Sequence, residues 1–366
     1  MGMKSLNVIV ITGGPCAGKT TAKSWVFNYL TKLGYKVVFI DETATQMITG
    51  GITPWECITN THYQLHQLKM QIAKERIIKE AVHDLKNVEK VVIVCDRGAL
   101  DNKAYMTERE FYEILHRLDL DEVTLRDNYD AVFHLCTAAK GAVEFYTTAN
   151  NKARTETVEQ AIELDDKLIA AWTGHPHLRI IDNSCGFDEK MQRLLLEMSS
   201  FLGEPEPFEI ERKFLIEYPN IDLLESFNNC QKVDIMQTYL SSEPGEEVRV
   251  RQRGINGNYV YFQTTKRKVS DIKRIETERK ITEKEYLKLL MDADTTKRPI
   301  RKTRYCLMHS NQYFEIDIYP FWKDKAIMEI ELNSEDDMIN FPNFIKVIKE
   351  VTDDATYKNA NLALIH

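Results

Sequence analysis

Gly13-Gly14-Pro15-Cys16-Ala17-Gly18-Lys19-Thr20 is the stretch on which the reading of this chain turns. Ahead of it, Asn7-Val8-Ile9-Val10-Ile11 is an apolar, β-branched run of strand type. Behind it, Ala22 to Leu33 carries an amphipathic helical pattern closed by Gly34. Strand, glycine loop and helix follow in the order a P-loop requires, and Gly13, Gly18, Lys19 and Thr20 complete its pattern. Glycine lets the backbone wrap close to a phosphate, and the helix N-terminus aims free N–H groups and its positive dipole end at the anion. The nucleotide-binding residues are therefore expected to be Gly13, Gly14, Pro15, Cys16, Ala17, Gly18, Lys19, Thr20 and Thr21. Lys19 neutralises β/γ charge, and Thr20 holds Mg²⁺.

Moving outward, Val91-Val92-Ile93-Val94-Cys95-Asp96 supplies the second half of the signature: a buried strand ending in an acid that reaches the water shell of Mg²⁺. Arg97 and Gly98 follow, and the segment Asp96 to Asp101 sets a guanidinium beside the phosphates. Lys36 to Ile40 is another buried strand, ending in Asp41-Glu42. Acids at a strand's C-terminal end face the ligand crevice of an open α/β sheet. Asp41 or Glu42 there either orients or deprotonates a substrate hydroxyl, or simply caps the next helix. Thr59 to Leu85 reads as a long helix on which His62, His66 and His83 are exposed. Ala131 to Leu135 is a further strand; beyond Asn151, Lys152 and Arg154, a helix from Val158 to Trp172 starts with Thr157 and Gln160 at capping-box spacing. Arg154 is either a lid arginine closing over the transferring phosphate or a solvated surface residue. His175-Pro176-His177 reads as a turn, and Leu178 to Asn183 as the last strand and base-side loop. The catalytic candidates of this half are Lys19, Asp96, Glu42 and Arg154, on a doubly wound parallel P-loop sheet.

From Val8 to about Ser184 the chain resembles the kinase-like P-loop ATPases grouped with nicotinamide riboside kinases, sharing their GGPxxxGKT loop and DRGxxD segment. The resemblance implies ATP or GTP bound with Mg²⁺, and leaves the phosphate acceptor open.

The length of 366 residues suits two domains, expected at 1–203 and 204–366. With 43% hydrophobic and 28% charged residues the composition is globular, and a net charge of −8 argues against nucleic acid as a partner through bulk charge. Seven cysteines lie scattered at positions 16, 57, 95, 136, 185, 230 and 306 without metal-ligand spacing, so we read them as reduced thiols and expect no zinc. No apolar run approaches membrane-spanning length, and the chain enters a strand with no basic leader, so the expectation is a cytoplasmic protein.

Gly203-Glu204-Pro205-Glu206-Pro207 breaks helical periodicity like a short stiff linker. Beyond it, alternating strands and the hairpin signal Asn256-Gly257 mark an antiparallel α+β domain. Charge occupies one face of strand after strand: Glu209, Glu211 and Lys213; Arg249 and Arg251; Lys266; Arg274, Glu276 and Glu278; Lys302 and Arg304; Glu315 and Asp317; Glu329 and Glu331. A solvated face of cross-strand ion pairs explains one or two such strands, not seven. If the apolar faces pack on helices such as Glu283 to Met291 and Phe344 to Val351, the charged faces line an interior that needs water, metal and a polyanion.

This constellation resembles the CYTH, or triphosphate tunnel, family over nearly all of residues 205–366, with the ExExK hallmark as Glu209-Ile210-Glu211-Arg212-Lys213 and a Tyr357-Lys358-Asn359 near the end. The resemblance implies an eight-stranded tunnel barrel in which Glu209, Glu211, Asp317, Glu329 and Glu331 hold Mg²⁺ or Mn²⁺, Glu211 being catalytic. It implies that Lys213, Arg249, Arg251, Lys266, Lys302, Arg304 and Lys358 grip a triphosphate or another phosphorylated small molecule. The two domains in this order resemble the family of TRPL translocation defect proteins. That likeness implies either a metal-dependent phosphohydrolase joined to an NTPase or kinase, or a nucleotide-dependent switch whose tunnel reads a phosphoinositide or phosphatidic acid headgroup.

Overall fold

The computed structural model describes residues 5–143, 157–204, 210–243, 245–268, 274–332 and 337–364; Arg154 and Glu209 fall outside them. The chain divides into two compact units, Met1–Pro205 and Glu206–His366.

In the first unit β1 (Ser5–Gly13), α1 (Lys19–Lys32), β2 (Lys36–Ile40), α2 (Thr43–Thr49), α3 (Asn60–His83), β3 (Lys90–Asp96), α4 (Glu108–Arg117), α5 (Glu122–Arg126), β4 (Ala131–Leu135), α6 (Val158–Trp172), β5 (Leu178–Ile181) and α7 (Phe187–Phe201) follow one another. The five strands pair in parallel in the order β2-β3-β1-β4-β5. β1, β3 and β4 lie between neighbours, which is why they read as unbroken apolar runs: Ile9, Val10, Val92, Ile93, Val94 and Phe133 are fully buried. On one face Val26 and Leu30 of α1 meet Met191, Leu194 and Met198 of α7 over Ile9, Ile11 and Phe133. From β3 the chain passes over β1 to β4, so the topological switch, where such sheets bind ligands, lies at the C-terminal end of β1, where the glycine loop is. α6 starts at the capping box of Thr157 and Gln160.

The second unit runs β6 (Ile210–Glu217), α8 (Ile221–Glu225), β7 (Cys230–Leu240), β8 (Glu246–Ile255), β9 (Asn258–Lys268), β10 (Arg274–Ile281), α9 (Glu283–Leu289), β11 (Ile300–His309), β12 (Gln312–Ile318), β13 (Lys325–Leu332), β14 (Val347–Glu350) and α10 (Asn359–Leu362). All strands join one antiparallel sheet in the order β10-β9-β8-β7-β11-β12-β13-β6-β14. Among the described residues it has nine strands rather than eight. The ninth arises where a helix was expected within Phe344 to Val351: β14 pairs with the edge of β6, because Val347 and Ile348 favour a strand and that edge supplies the backbone partners a helix would not use. The hairpin at Asn256-Gly257 is confirmed, both residues having positive φ (53° and 88°).

The sheet curls. β9 and β6 are six places apart in the strand order, about 29 Å if the sheet were flat at ~4.8 Å per strand. Yet Lys266 on β9 acts electrostatically on Glu211 of β6, so the two ends of the sheet approach each other as in a tunnel. Phe214, Ile216, Phe314, Ile316, Met328 and Ile330 point outward onto Leu224 of α8 and Ile345. Val250, Ile281 and Leu240 pack on Tyr286 of α9. On the inner face Leu215, Ile327 and Tyr239 join Tyr319, Val351 and Ala363, so the C-terminal segment covers an apolar end of the curled sheet.

Candidate functional site

The glycine loop is fixed from three sides. A Cβ on Gly13, whose φ is +148°, would stand 2.1 Å from the carbonyl oxygen of Leu135, so only glycine fits between β1 and β4. The Gly14 N–H donates to Asp165 Oδ1 of α6 at 2.8 Å, an oxygen that also accepts from the Thr137 N–H at 3.1 Å and lies 3.0 Å from His134 Nε2. Lys140 completes the shell of Asp165 at 2.9 Å. Burial alone would raise this carboxyl, but His134 and Lys140 hold it well below the usual carboxylate range. His134, Cys136 and Asp165 lie close enough together to hold a metal ion, but the Lys140 ammonium already occupies the carboxylate and burial pushes the Cys136 thiol up to about 12. That group is a support under the loop. Beneath it, Lys190 Nζ of α7 donates to the carbonyls of Cys136 (2.7 Å) and Ala17 (3.3 Å) and to Asn183 Oδ1 (2.7 Å). Burial among these neutral acceptors brings this lysine down to about 8.

At the phosphate end, Lys19 Nζ rests 3.3 Å from the Gly13 carbonyl, and burial followed by the Arg97 charge lowers its proton affinity. Glu42, Asp96 and Asp101 act on it in the opposite sense, which places all four groups around the P-loop lysine. Arg97, with φ of +69°, pairs through Nε with Glu42 Oε1 at 2.5 Å and through Nη1 with Asp101 at 3.4 Å. Asp101 is held by Thr12 Oγ1 and the Trp172 indole N–H. Burial works against the charge of Glu42, but Arg97 and Lys19 bring its carboxyl down to about 2, which suits it to accept a hydrogen bond and not to take up a proton near neutrality. Asp41 is exposed and pairs with Lys23 (2.5 Å). Lys23 also reaches Asp96 Oδ2 (3.4 Å), while Asp96 Oδ1 is buried with no hydrogen-bond partner among the described residues. An orphaned buried carboxylate oxygen at the end of β3 is the feature a hydrated Mg²⁺ would satisfy. Thr20 and Thr21 are exposed in the first turn of α1. Lys23, one turn beyond Lys19, was legible from helical spacing alone; Asp165 and Lys190 carry no local signal.

In the second unit the register puts the charged residues on one face. Glu211 stands directly opposite Glu331, and Lys213 opposite Glu329, across β6 and β13. Glu329 lies opposite Glu315, and Asp317 opposite Arg304. Arg249 and Arg251 lie opposite Tyr239 and Gln237, and Lys266 opposite Glu247. Lys213 pairs with Glu329 at 2.6 Å and reaches Glu211 at 3.8 Å. Arg304 binds Asp317 (2.7 Å), Glu329 (2.9 Å) and Glu315, and Lys302 binds Asp317. The ammonium and guanidinium so arranged hold Glu329 well below its ordinary range against the effect of burial. Asp317 is wholly buried between Lys302 and Arg304, so it orders these cations while Glu211, Glu329 and Glu331 gather across two strands.

Two features are unbalanced. Like charges directly opposite each other on a sheet repel, and Glu211, facing Glu331, is raised to about 7, chiefly by the charge of Glu329 beside it. A hard cation between these carboxylates would remove the repulsion. On the other wall, Arg251 Nε is buried without a hydrogen-bond partner among the described residues, and burial together with Arg249 pulls this arginine below its ordinary range, with Arg304 and Arg253 adding to the effect. Among the described residues its acidic partner is Glu278, 3.8 Å away, which also accepts from Thr264 Oγ1 at 2.7 Å. Lys358 stands exposed at the start of α10 and not on the sheet. Gln237, Thr264 and Arg253 share this unit's central strands with the charge pairs, but nothing in the alternation of acids and bases marks them.

Comparison with known proteins matches residues 8–190 to an AAA domain and residues 207–350 to a CYTH domain. An inorganic triphosphatase of Nitrosomonas europaea is 34% identical over 160 residues, which is 43% of this chain and 97% of that protein. A crystal structure of an inorganic triphosphatase shares 30% identity, covering 43% of this chain and 96% of the other, with a TM-score of 0.31. A protein from Pyrococcus horikoshii shares 18% identity over 35% of this chain and 80% of its own, with a TM-score of 0.26. Among the described residues no helix is long and apolar enough to cross a membrane.

Proposed function

The chain belongs to the AAA-domain family through residues 8–190 and to the CYTH family through residues 207–350, and from that membership we propose that the second unit is a metal-dependent triphosphatase acting on inorganic triphosphate, while the first binds ATP or GTP with Mg²⁺ as an NTPase or small-molecule kinase. The observation that carries the reading of the second unit is Arg251 Nε, buried with no hydrogen-bond partner among the described residues and set among Arg249, Arg253 and Arg304 on the charged face of the sheet. Concentrated positive charge with an unfilled buried donor is the complement of a polyanion, and arginine forks fit phosphate oxygens in pairs.

Glu211, Glu329 and Glu331 would hold the divalent cation, together with Glu209 from the ExExK segment. When bound, the cation would neutralise the phosphate to be cleaved and polarise the attacking water. Arg249, Arg251 and Lys266 would hold the chain of phosphates by oxygens that do not react. Lys302 and Arg304, locked by Asp317, keep their positions with no reorganisation when the substrate enters, which is the preorganisation that favours charge developing in the transition state. Lys213 sits between Glu329 and Glu211, where it can follow the charge of the leaving phosphate. The acids and bases are not chemically redundant: removing a base should weaken binding of every triphosphate, and removing a metal-side acid should lower turnover.

The test is phosphate release from inorganic triphosphate with Mg²⁺ or Mn²⁺ by the full chain and by Arg251→Gln. The reading expects release by the wild type and, in the variant, a KM raised about 10- to 100-fold from the loss of a charged hydrogen bond. A wild type that releases no phosphate from triphosphate with either metal overturns it.

A further inference from the structure

Among the described residues, the acids that act on Lys19, Glu42, Asp96 and Asp101, lie at the ends of β2 and β3 or just beyond. The γ-phosphate and its cation therefore face that side, and the nucleoside must leave the glycine loop on the other, over the ends of β4 and β5. The loop there, residues 182–186, has its polar side chains already engaged. Asp182 Oδ1 accepts from Arg193 Nη1 (2.7 Å), Ser184 Oγ (2.7 Å) and the Ser184 N–H (3.1 Å). Asn183 Nδ2 donates to the carbonyls of Thr137 (2.8 Å) and Lys140 (2.6 Å), and its Oδ1 accepts from Lys190. The Gly186 N–H donates to Glu189 Oε2. Guanine is distinguished from adenine by a carboxylate that accepts from its N1–H and exocyclic amine. The one carboxylate of this loop is neutralised by a guanidinium.

What the loop does present is a ring. Phe187, the first residue of α7, is 45% exposed although it is aromatic, and it lies directly on the P-loop: a Cβ on Gly18 would come within 2.8 Å of its Cε2. Gly18 is the residue before Lys19, at the entrance of α1, so the ring borders the cradle. A flat apolar surface next to a phosphate cradle, beside a loop whose polar groups are engaged, takes a base by its π-face.

We propose that Phe187 is the base platform of the first unit and that purines are bound by stacking on it, so that ATP and GTP are held with similar affinity. This rests on the reading of the first unit as a nucleoside triphosphate site. Stacking is tolerant of base identity because every purine has the same kind of face, while hydrogen-bonded readout is not. Gly18 belongs to the same device: any side chain there would displace the ring.

The experiment is calorimetric titration of the full chain with MgATP and with MgGTP, for the wild type, Phe187→Leu, Phe187→Trp and Lys19→Ala. Leucine keeps an apolar contact with Gly18 but has no π-face; tryptophan restores one. The expected result is that the two nucleotides bind the wild type within about threefold of each other, that Phe187→Leu weakens both by about 5- to 150-fold, and that Phe187→Trp retains binding. Thermal unfolding of Phe187→Leu should match the wild type, since the side chain is half exposed. A preference above about tenfold for either purine, or unchanged affinity in a folded Phe187→Leu, overturns the proposal. If Lys19→Ala binds nucleotide as the wild type does, the P-loop reading fails and this inference fails with it. Dependence on Lys19 without dependence on Phe187 removes the inference alone.

Discussion

Binding of a divalent cation to the second unit should release a proton. Glu211 faces Glu331 across β6 and β13, and chiefly the charge of Glu329 beside it raises its carboxyl from 4.5 to about 7. A cation held by Glu211 needs the ionised form, so below about pH 7 it must displace that proton. One displaced proton changes apparent affinity about tenfold per pH unit, so Mn²⁺ binding without nucleotide should weaken about tenfold between about pH 6.5 and 5.5 and level off above about pH 7.5. The sign for the metal-free fold is opposite to that of an ordinary paired glutamate. Because the folded value lies above the unfolded one, the contribution of Glu211 to stability is complete below about pH 4.5 and is lost as pH rises through about 7. Mn²⁺ should therefore stabilise the second unit most on the alkaline side. Calorimetry in two buffers of different ionisation heat counts the protons directly. Glu211→Gln should give weaker binding with no proton release near about pH 6. Affinity that does not change over this range in the wild type, with no proton released, would refute the reasoning.

Arg304→Met leaves the buried Asp317 with Lys302 alone, Glu329 with Lys213 alone, and Glu315 without its guanidinium. Breaking a buried ion-pair network in this way costs about 3–5 kcal/mol, so the unfolding transition of the second unit should fall by that amount in urea, and a loss below about 1 kcal/mol would contradict the assigned contacts. Lys190, lowered from 10.5 to about 8, binds its proton more weakly folded than unfolded, so stability from this group rises between about pH 8 and 10.5 by about 3 kcal/mol, from ~2.5 units at ~1.36 kcal/mol each. The difference in unfolding free energy between wild type and Lys190→Met over that range isolates it, and a difference independent of pH would count against the buried charge. Gly13→Ala should abolish Lys19-dependent nucleotide binding, since its methyl would meet the Leu135 carbonyl oxygen; binding equal to wild type by equilibrium dialysis would show that β1 and β4 do not approach as described.

The P-loop was legible because its chemistry is local. Glycines, lysine and threonine stand together in the single stretch from Gly13 to Thr20, and the flanking strand and helix show their own periods. Groups that hold the loop from a distance, Asp165 and Lys190, are far from it in sequence and sit on helices whose pattern explains them without the loop. The charged face of the second unit was legible from alternation, since a period of two puts Glu329 and Glu331, or Lys302 and Arg304, on one side wherever the strand pairs. Which acid meets which base was not, because that depends on register and on the curl of the sheet: Asp317 carries the same pattern as Glu329, yet stands between Lys302 and Arg304. The segment from Phe344 to Val351 was misread as a helix because its pairing partner, the edge of β6, lies far away along the chain.

The most direct test of the account is phosphate release from inorganic triphosphate, ATP and GTP by the full chain, compared with Lys19→Ala and Glu211→Ala. The account predicts that Glu211→Ala abolishes triphosphate cleavage while Lys19→Ala spares it, because the metal-side acid and the P-loop lysine serve different sites. Triphosphate cleavage that survives Glu211→Ala, or that is lost with Lys19→Ala, would contradict it.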